Sequence, residues 1–349
     1  MSTFYKLSIK DITRETPSAI SVAFNIPTEF KDFYQFKAGQ YVTLKATLDG
    51  QEVRRAYSIC TSPNSGELRV SIKAVKNGFF STFANDKLAV GNVLEVSTPE
   101  GKFTFEPQTD KQKNYVGFAA GSGITPVMSI LQAVLENEPQ SSFILVYGNK
   151  SPEETIFFNQ LHDLQNQYVG RLFVHHVFSQ SNKSEWFGRI DKAVVNNILF
   201  NKHSEKSFDK FYLCGPEEMI NLVSATLKEH HVKENDIKFE LFTTSTTTNE
   251  NNITADGHTQ VTFLLDDEET TVEMSQKQTI LEAALKHNLD APYSCQGGIC
   301  SSCIARVTEG KAEMKKNQIL TDDEIEEGLI LTCQAHPVTP TIKVDYDDV

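Results

Sequence analysis

The chain has 349 residues, 39% hydrophobic and 23% charged, an ordinary composition for a soluble globular protein with room for two or three separately cored domains. No run approaches the roughly 18 apolar residues of a membrane span, and Met1-Ser2-Thr3-Phe4-Tyr5-Lys6 has no signal-peptide pattern, so a cytoplasmic location is expected. Net charge is −13, and residues 256–349 hold 18 acidic against 7 basic side chains, a net of −11; this argues against nucleic acid and anionic membranes and for a partner with a basic patch.

Residues up to about Pro107 read as short β-segments. Stretches 19–24, 41–46 and 68–72 alternate, with Asp49-Gly50 and Asn64-Ser65-Gly66 as turns, which predicts a small antiparallel barrel. Arg55-Ala56-Tyr57-Ser58 ends one strand. Gly78-Phe79-Phe80-Ser81 opens a helical stretch reaching Asp86, where amides and a hydroxyl would face an anion. In this order the two patterns resemble the R-x-Y-S and G-x-x-S elements of the ferredoxin-NADP reductase family. The resemblance implies FAD, with Arg55 and Ser81 on its pyrophosphate beside Gly78, Tyr57 packed on the isoalloxazine and Ser58 hydrogen-bonded near its reactive edge.

From about Asn114 strands and helices alternate. The buried-strand run 115–120 leads into Gly121-Ser122-Gly123-Ile124-Thr125-Pro126 and then an apolar periodic helix, with Thr125 placed to N-cap it and Pro126 in its first turn. Glycines at such a turn let a pyrophosphate approach the backbone. The string lacks the third glycine of G-x-G-x-x-G but matches the family's G-x-G-I-T-P form, so Gly121, Gly123, Thr125 and Pro126 are expected at a nicotinamide nucleotide. Strand 143–147 runs into Gly148-Asn149-Lys150-Ser151, and strand 172–177 into Phe178-Ser179-Gln180. Lys150 and Ser151 are placed to hold a 2′-phosphate, which favours NADPH. Gln180 stands where NADP-using relatives usually place arginine, which keeps NADH open. His175-His176, in an apolar strand, reads as structural. Strand 211–215 ends in Cys214-Gly215-Pro216 before a helix at 217–229. By resemblance Cys214 lies beside the nicotinamide ring, and Glu240 or Phe242 near the flavin.

The polar tract 243–255 reads as a linker. A hairpin follows, 260–265 and 270–274 around Asp266-Asp267-Glu268-Glu269, then a helix at 279–287. Cys295-Gln296-Gly297-Gly298-Ile299-Cys300-Ser301-Ser302-Cys303, with Cys333 downstream, is the C-x4-C-x2-C…C spacing of a plant-type [2Fe–2S] cluster. Gly297 and Gly298 would let the loop curl so that amides reach the sulfurs. A zinc site would rather pair C-x2-C units, and disulfides would need an oxidising compartment. The flanks Ala291-Pro292-Tyr293-Ser294 and Leu331-Thr332-Cys333-Gln334-Ala335 resemble plant-type ferredoxins. Thr321-Asp322-Asp323-Glu324 begins like a capped helix.

The expected architecture is an antiparallel β-barrel FAD domain (1–108), an α/β parallel-sheet nicotinamide-nucleotide domain (109–242), the linker, and an α+β β-grasp ferredoxin domain (256–349). A nicotinamide delivers two electrons as hydride and the cluster accepts one at a time, so a flavin belongs between them. The expected enzyme is an NAD(P)H-dependent FAD/[2Fe–2S] oxidoreductase passing electrons to a protein acceptor, an oxygenase first. A hybrid-cluster protein, a flavodoxin or another terminal oxygenase is the alternative acceptor, and a non-enzymatic redox sensor the reading from another class.

Overall fold

The computed structural model describes residues 3–76, 78–242 and 257–349; the expected linker lies outside the described residues. Two compact units are present, one built from Phe4–Val53 and Tyr57–Phe242, the other mainly from the C-terminal residues.

In the first unit, β1 (Phe4–Thr16), β2 (Ala19–Asn25), β3 (Tyr41–Leu48), β4 (Gln51–Ser58), β5 (Leu68–Lys73) and β6 (Val93–Ser97) form a sheet in the order β4-β3-β6-β1-β2-β5. Its two edges meet where Ile59 bridges Val70 and the Cys60 amide donates to Arg69 O at 2.9 Å, closing the barrel. Asp49 and Gly50 both take positive φ, the conformation a two-residue hairpin between right-twisted strands requires. The alternation expected of residues 19–24 does not appear in their burial, since all six are buried. One face lines the barrel, and Ala19, with Cys60, joins the apolar core around the helix after Gly123.

The same unit continues through α1 (Phe79–Lys87) into a parallel sheet of β7 (Asn114–Ala120), β8 (Ser142–Asn149), β9 (Leu172–Phe178), β10 (Trp186–Phe187), β11 (Lys210–Gly215) and β12 (Ile237–Leu241). The order is β10-β9-β8-β7-β11-β12, so the chain reverses its direction of travel between β7 and β11. Ligands of open parallel sheets bind at the carboxyl ends of strands at such a switch point. Helices α2 (Ile124–Asn137), α3 (Phe158–Gln167), α4 (Lys192–Val195, passing into a π-helical turn) and α5 (Glu217–Glu229) cover the sheet. Nearly all of α2 is buried, which explains its apolar run. Thr125 is not its N-cap: Gly123 holds that place, and Thr125 sits inside the first turn with its hydroxyl donating to Ser122 O (3.0 Å). Pro126 does lie in that turn.

The second unit contains β13 (His258–Leu265), β14 (Glu268–Ser275), α6 (Ile280–Lys286), β15 (Ile304–Glu309), β16 (Ala312–Met314), α7 (Asp322–Glu326), β17 (Leu329–Leu331), β18 (Ala335–Pro337) and β19 (Thr341–Asp345). Five strands form a mixed sheet, β14-β13-β19-β15-β17, with β13 and β19 parallel. The first hairpin is tighter than expected, because Asp266 and Asp267 alone make the turn at positive φ and Glu268 and Glu269 pair within β14. Thr279/Glu282 and Thr321/Glu324 form capping boxes that start α6 and α7.

Candidate functional site

The four candidate cluster ligands converge within the second unit. Cys300, Cys303 and Cys333 are buried and Cys295 is half-buried. Bonds from the Cys300 and Cys333 thiols, together with the amides of Gly297 and Ile299, hold the Cys295 sulfur toward the thiolate against the opposing effect of burial. The Gly297 amide donates to Cys295 Sγ at 3.3 Å. Thiol contacts therefore run Cys300–Cys295–Cys333–Cys303. No three His, Cys, Asp or Glu side chains among the described residues are grouped to hold a metal ion, but a two-iron cluster asks for two pairs of sulfurs rather than a shell around one point. The donor set fits a [2Fe–2S] group. Of the two glycines only Gly298 is sterically required: at φ +72° a Cβ would lie 2.9 Å from Gln334 Cγ and from Lys316 O, whereas one on Gly297 meets nothing closer than 3.7 Å.

In the first unit the turn into α1 is tight, since a Cβ on Gly78 would lie 2.4 Å from Ser81 Oγ. The Ser81 hydroxyl is engaged inside this turn, accepting from the Val75 amide (3.3 Å). What the turn offers an anion is therefore the open backbone amides at the start of α1. Tyr57 is half-buried with its ring 5.8 Å from Phe80. Arg55 is exposed on β4, its guanidinium donating to Arg54 O (2.7 Å). The cradle of amides fits the pyrophosphate of a flavin dinucleotide.

Three expected residues meet at the switch point. Ser58 at the end of β4 donates to Glu240 Oε2 (3.2 Å), and Glu240 stands beside Cys214 in the β11–β12 register. Burial raises the Glu240 carboxyl to about 8, with the Ser58 hydrogen bond opposing it only in part. Burial, and then the Glu240 charge, pushes the Cys214 thiol well above its ordinary range. Phe242 is half-buried and packs on the α2 core.

The G-x-G turn at the end of β7 is held by its neighbours. A Cβ on Gly123 would stand 2.1 Å from Cys214 O, so this glycine lets the turn close onto β11. Tyr147 donates to Gly121 O at 2.9 Å. Gly121, at φ +55°, faces a space bordered by the Lys73 ammonium, 3.8 Å from its would-be Cβ. Lys73 is half-buried; burial lowers its pKa, nearby Glu154 opposes that, and Lys150 adds to it. No sequence motif marks Lys73. The only signal was a lysine closing an apolar strand. The Ser179 and Gln180 amides donate to Asn149 O and Lys150 O (3.0 and 2.9 Å), bringing the two expected nucleotide loops together. Lys150 is exposed and Ser151 half-buried. Asn149 Nδ2 is buried without an acceptor, an unmet donor that fits a nucleotide over these loops. His175 lies outside this group, its Nε2 2.9 Å from His203 Nε2.

Three family descriptions match the chain: Oxidoreductase FAD-binding domain over residues 6–105, Oxidoreductase NAD-binding domain over 118–225 and 2Fe-2S iron-sulfur cluster binding domain over 263–338. The chain is 36% identical over 352 residues to the E component of the 1,2-phenylacetyl-CoA epoxidase of Escherichia coli (strain K12), covering 99% of each. It is 31% identical to the ferredoxin reductase component of 3-ketosteroid-9-alpha-monooxygenase of Rhodococcus rhodochrous, covering 97% of this chain and 96% of that one. Among solved structures, phthalate dioxygenase reductase, described as a modular structure for electron transfer from pyridine nucleotides to [2Fe-2S], superposes with TM-score 0.62 at 25% identity, covering 98% of both chains.

Proposed function

We propose that this chain, which belongs to the family of reductases that join FAD-binding, NAD-binding and [2Fe–2S] domains, is the reductase component of an oxygenase, such as a phenylacetyl-CoA epoxidase. The observation that carries this reading is the meeting of Ser58, Cys214 and Glu240 at the sheet's switch point in a chain that also presents four converging cysteines. We take the domains to be 1–108, 109–242 and 256–349, with the matched ranges inside each. Among the described residues no helix is long and apolar enough to cross a membrane, and a cytoplasmic location is our reading.

FAD, when bound, accepts a nicotinamide's hydride and releases electrons singly. The chain's own residues bind, orient and move protons. Amides from 79 to 81 would hold the flavin pyrophosphate, for which Arg55 would supply a cation, and Tyr57 would pack on the ring. The G-x-G-I-T-P turn receives the nucleotide pyrophosphate, and Lys73 supplies it with a cation from the barrel side. Lys150 and Ser151 take a 2′-phosphate, which gives NADPH the preference over NADH. Cys214 limits how deeply the nicotinamide sits. Glu240 keeps its proton near neutral pH while accepting from Ser58 Oγ, which suits a general acid whose pKa lies near the working pH. Phe242 closes the apolar wall behind them. Cys295, Cys300, Cys303 and Cys333 would together hold the two irons of the cluster, which would accept electrons one at a time.

Opposite charge on the acceptor would speed encounter. Asp322, Asp323, Glu326 and Glu327 are exposed on and beside α7, and they are our docking surface for a basic patch. Screening shortens from about 10 Å at 0.1 M salt to about 3 Å at 1 M, so transfer to the acceptor should slow over that range, and should lose that slope when Asp323, Glu326 and Glu327 are neutralised.

The test of the reading is Cys300→Ser. NADPH oxidation with ferricyanide, which takes electrons from the flavin, should persist while cytochrome c reduction collapses. Equal loss of both would sink the assignment of a separate exit through the cysteines.

A further inference from the structure

Two buried hydroxyls among the described residues make no hydrogen bond, those of Ser294 and Tyr346, and both belong to the C-terminal unit. Their side chains are 1% and 2% exposed. A buried hydroxyl without a partner costs free energy, so its persistence calls for an acceptor. Ser294 immediately precedes Cys295. Tyr346 stands one residue beyond β19, fixed by its amide donating to Leu264 O (2.9 Å) and by its ring against Phe263. Its hydroxyl lies in the electrostatic field of Cys303 and Cys333. Thr332 is near it but outside hydrogen-bond geometry, and its own hydroxyl donates to Cys303 O (3.0 Å). One unmet donor therefore adjoins Cys295 in the chain, and the other lies toward the Cys333–Cys303 end of the thiol row.

We propose that the Ser294 and Tyr346 hydroxyls donate hydrogen bonds to sulfurs of the cluster, and that together they set its reduction potential. The inference rests on the cluster reading given above. Hydrogen bonds to cluster sulfurs stabilise the more electron-rich state, and potentials in this class follow such bonds and solvent exposure. With Cys303 and Cys333 buried, side-chain hydroxyls replace the water that would otherwise reach the sulfurs. Both are positioning residues, since neither transfers an electron.

The experiment is an EPR-monitored redox titration of full-length protein, wild type, Tyr346→Phe and Ser294→Ala, with iron and sulfide content measured alongside and the flavin couple as internal reference. Each variant should hold a full cluster whose reduced:oxidised ratio at fixed potential falls about three- to tenfold; tenfold equals about 59 mV for a one-electron couple. The flavin couple should not move. A fully loaded variant at the wild-type potential would overturn the role of that hydroxyl. So would a folded variant that takes up no iron, because a tuning bond is not needed for assembly. A wild-type chain without iron and sulfide would instead sink the cluster reading.

Discussion

In the C-terminal unit three of the four candidate ligands come from one loop, Cys295 to Cys303, and only Cys333 arrives from elsewhere. In the N-terminal unit the proposed hydride site is assembled across the chain: Ser58 and Glu240 are 182 positions apart and meet at 3.2 Å, and Cys214 reaches Glu240 only through strand register. A loop that must wrap a compact group needs local curvature and closely spaced donors. A hydride site instead needs groups aimed from several rigid strands at one point. The first arrangement tolerates change in the sheet around it, while the second fails when any one strand shifts.

Gly123→Ala is the harshest way to break the second arrangement, because the new methyl would meet the Cys214 carbonyl, a backbone atom that cannot swing aside. Overpacking typically costs about 1–3 kcal/mol, and a clash with backbone belongs at the top of that range. Thermal unfolding of the N-terminal unit should drop sharply and nucleotide binding with it, while the visible spectrum of the cluster stays. Loss of the cluster as well would show that the two regions do not stand independently.

Glu240→Gln sharpens the contrast without breaking the fold. Loss of the proposed general acid should cost on the order of a hundredfold, read as the rate of flavin reduction by NADPH. The wild-type rate should fall as pH rises through about 8, where the carboxyl loses its proton, and the variant's should not follow that curve. Stability should show the same signature. The folded carboxyl titrates near 8 against an ordinary 4.5, so between those values the unfolded chain binds fewer protons and wild-type stability declines as pH rises. The contribution is complete below about 4.5 and gone above about 8. Urea unfolding at pH 5 and pH 9 should thus show a steeper loss in wild type than in the variant, and parallel losses would contradict the shifted carboxyl.

Lys73→Ala tests the barrel's reach into the nucleotide site. Charge-assisted hydrogen bonds are worth about 1.5–3 kcal/mol, so KM for NADPH should rise roughly ten- to a hundredfold with kcat little changed. NADH should suffer equally, since both share the pyrophosphate, whereas Lys150→Ala should penalise NADPH alone. An unchanged KM would remove Lys73 from the site.

The smallest effect is expected at α7. Thr321→Ala removes one half of a capping box and should cost about 1 kcal/mol of the C-terminal unit's stability, with the potential of the cluster unmoved. A shifted potential would mean that α7 communicates with the cysteines.

The same contrast governs what could be read from the residues alone. The cluster-type spacing of the candidate ligands Cys295, Cys300 and Cys303 stood out because it is a local property, whereas the distant Cys333 was picked out by its flanking residues. The order of strands and helices followed from periodicity and turn chemistry, and α5 has the expected bounds, 217–229. Residues 19–24 misled, because a strand buried on both faces carries no half-buried alternation. Thr125 misled because the backbone of Gly123 opens the helix without a side-chain cap. Glu240 had no signal of its own, since only the β11–β12 register and the end of β4 make it a partner of Ser58. Lys73 was silent for the same reason.

The central claim is that the N-terminal unit receives a pair of electrons and the cysteine loop passes them on singly. Anaerobic reductive titration of the FAD-loaded protein measures this most directly. Wild type should take up one electron more per chain than Cys300→Ser, with flavin bleaching identical in the two proteins. Equal uptake, or a flavin that no longer bleaches in the variant, would contradict the account.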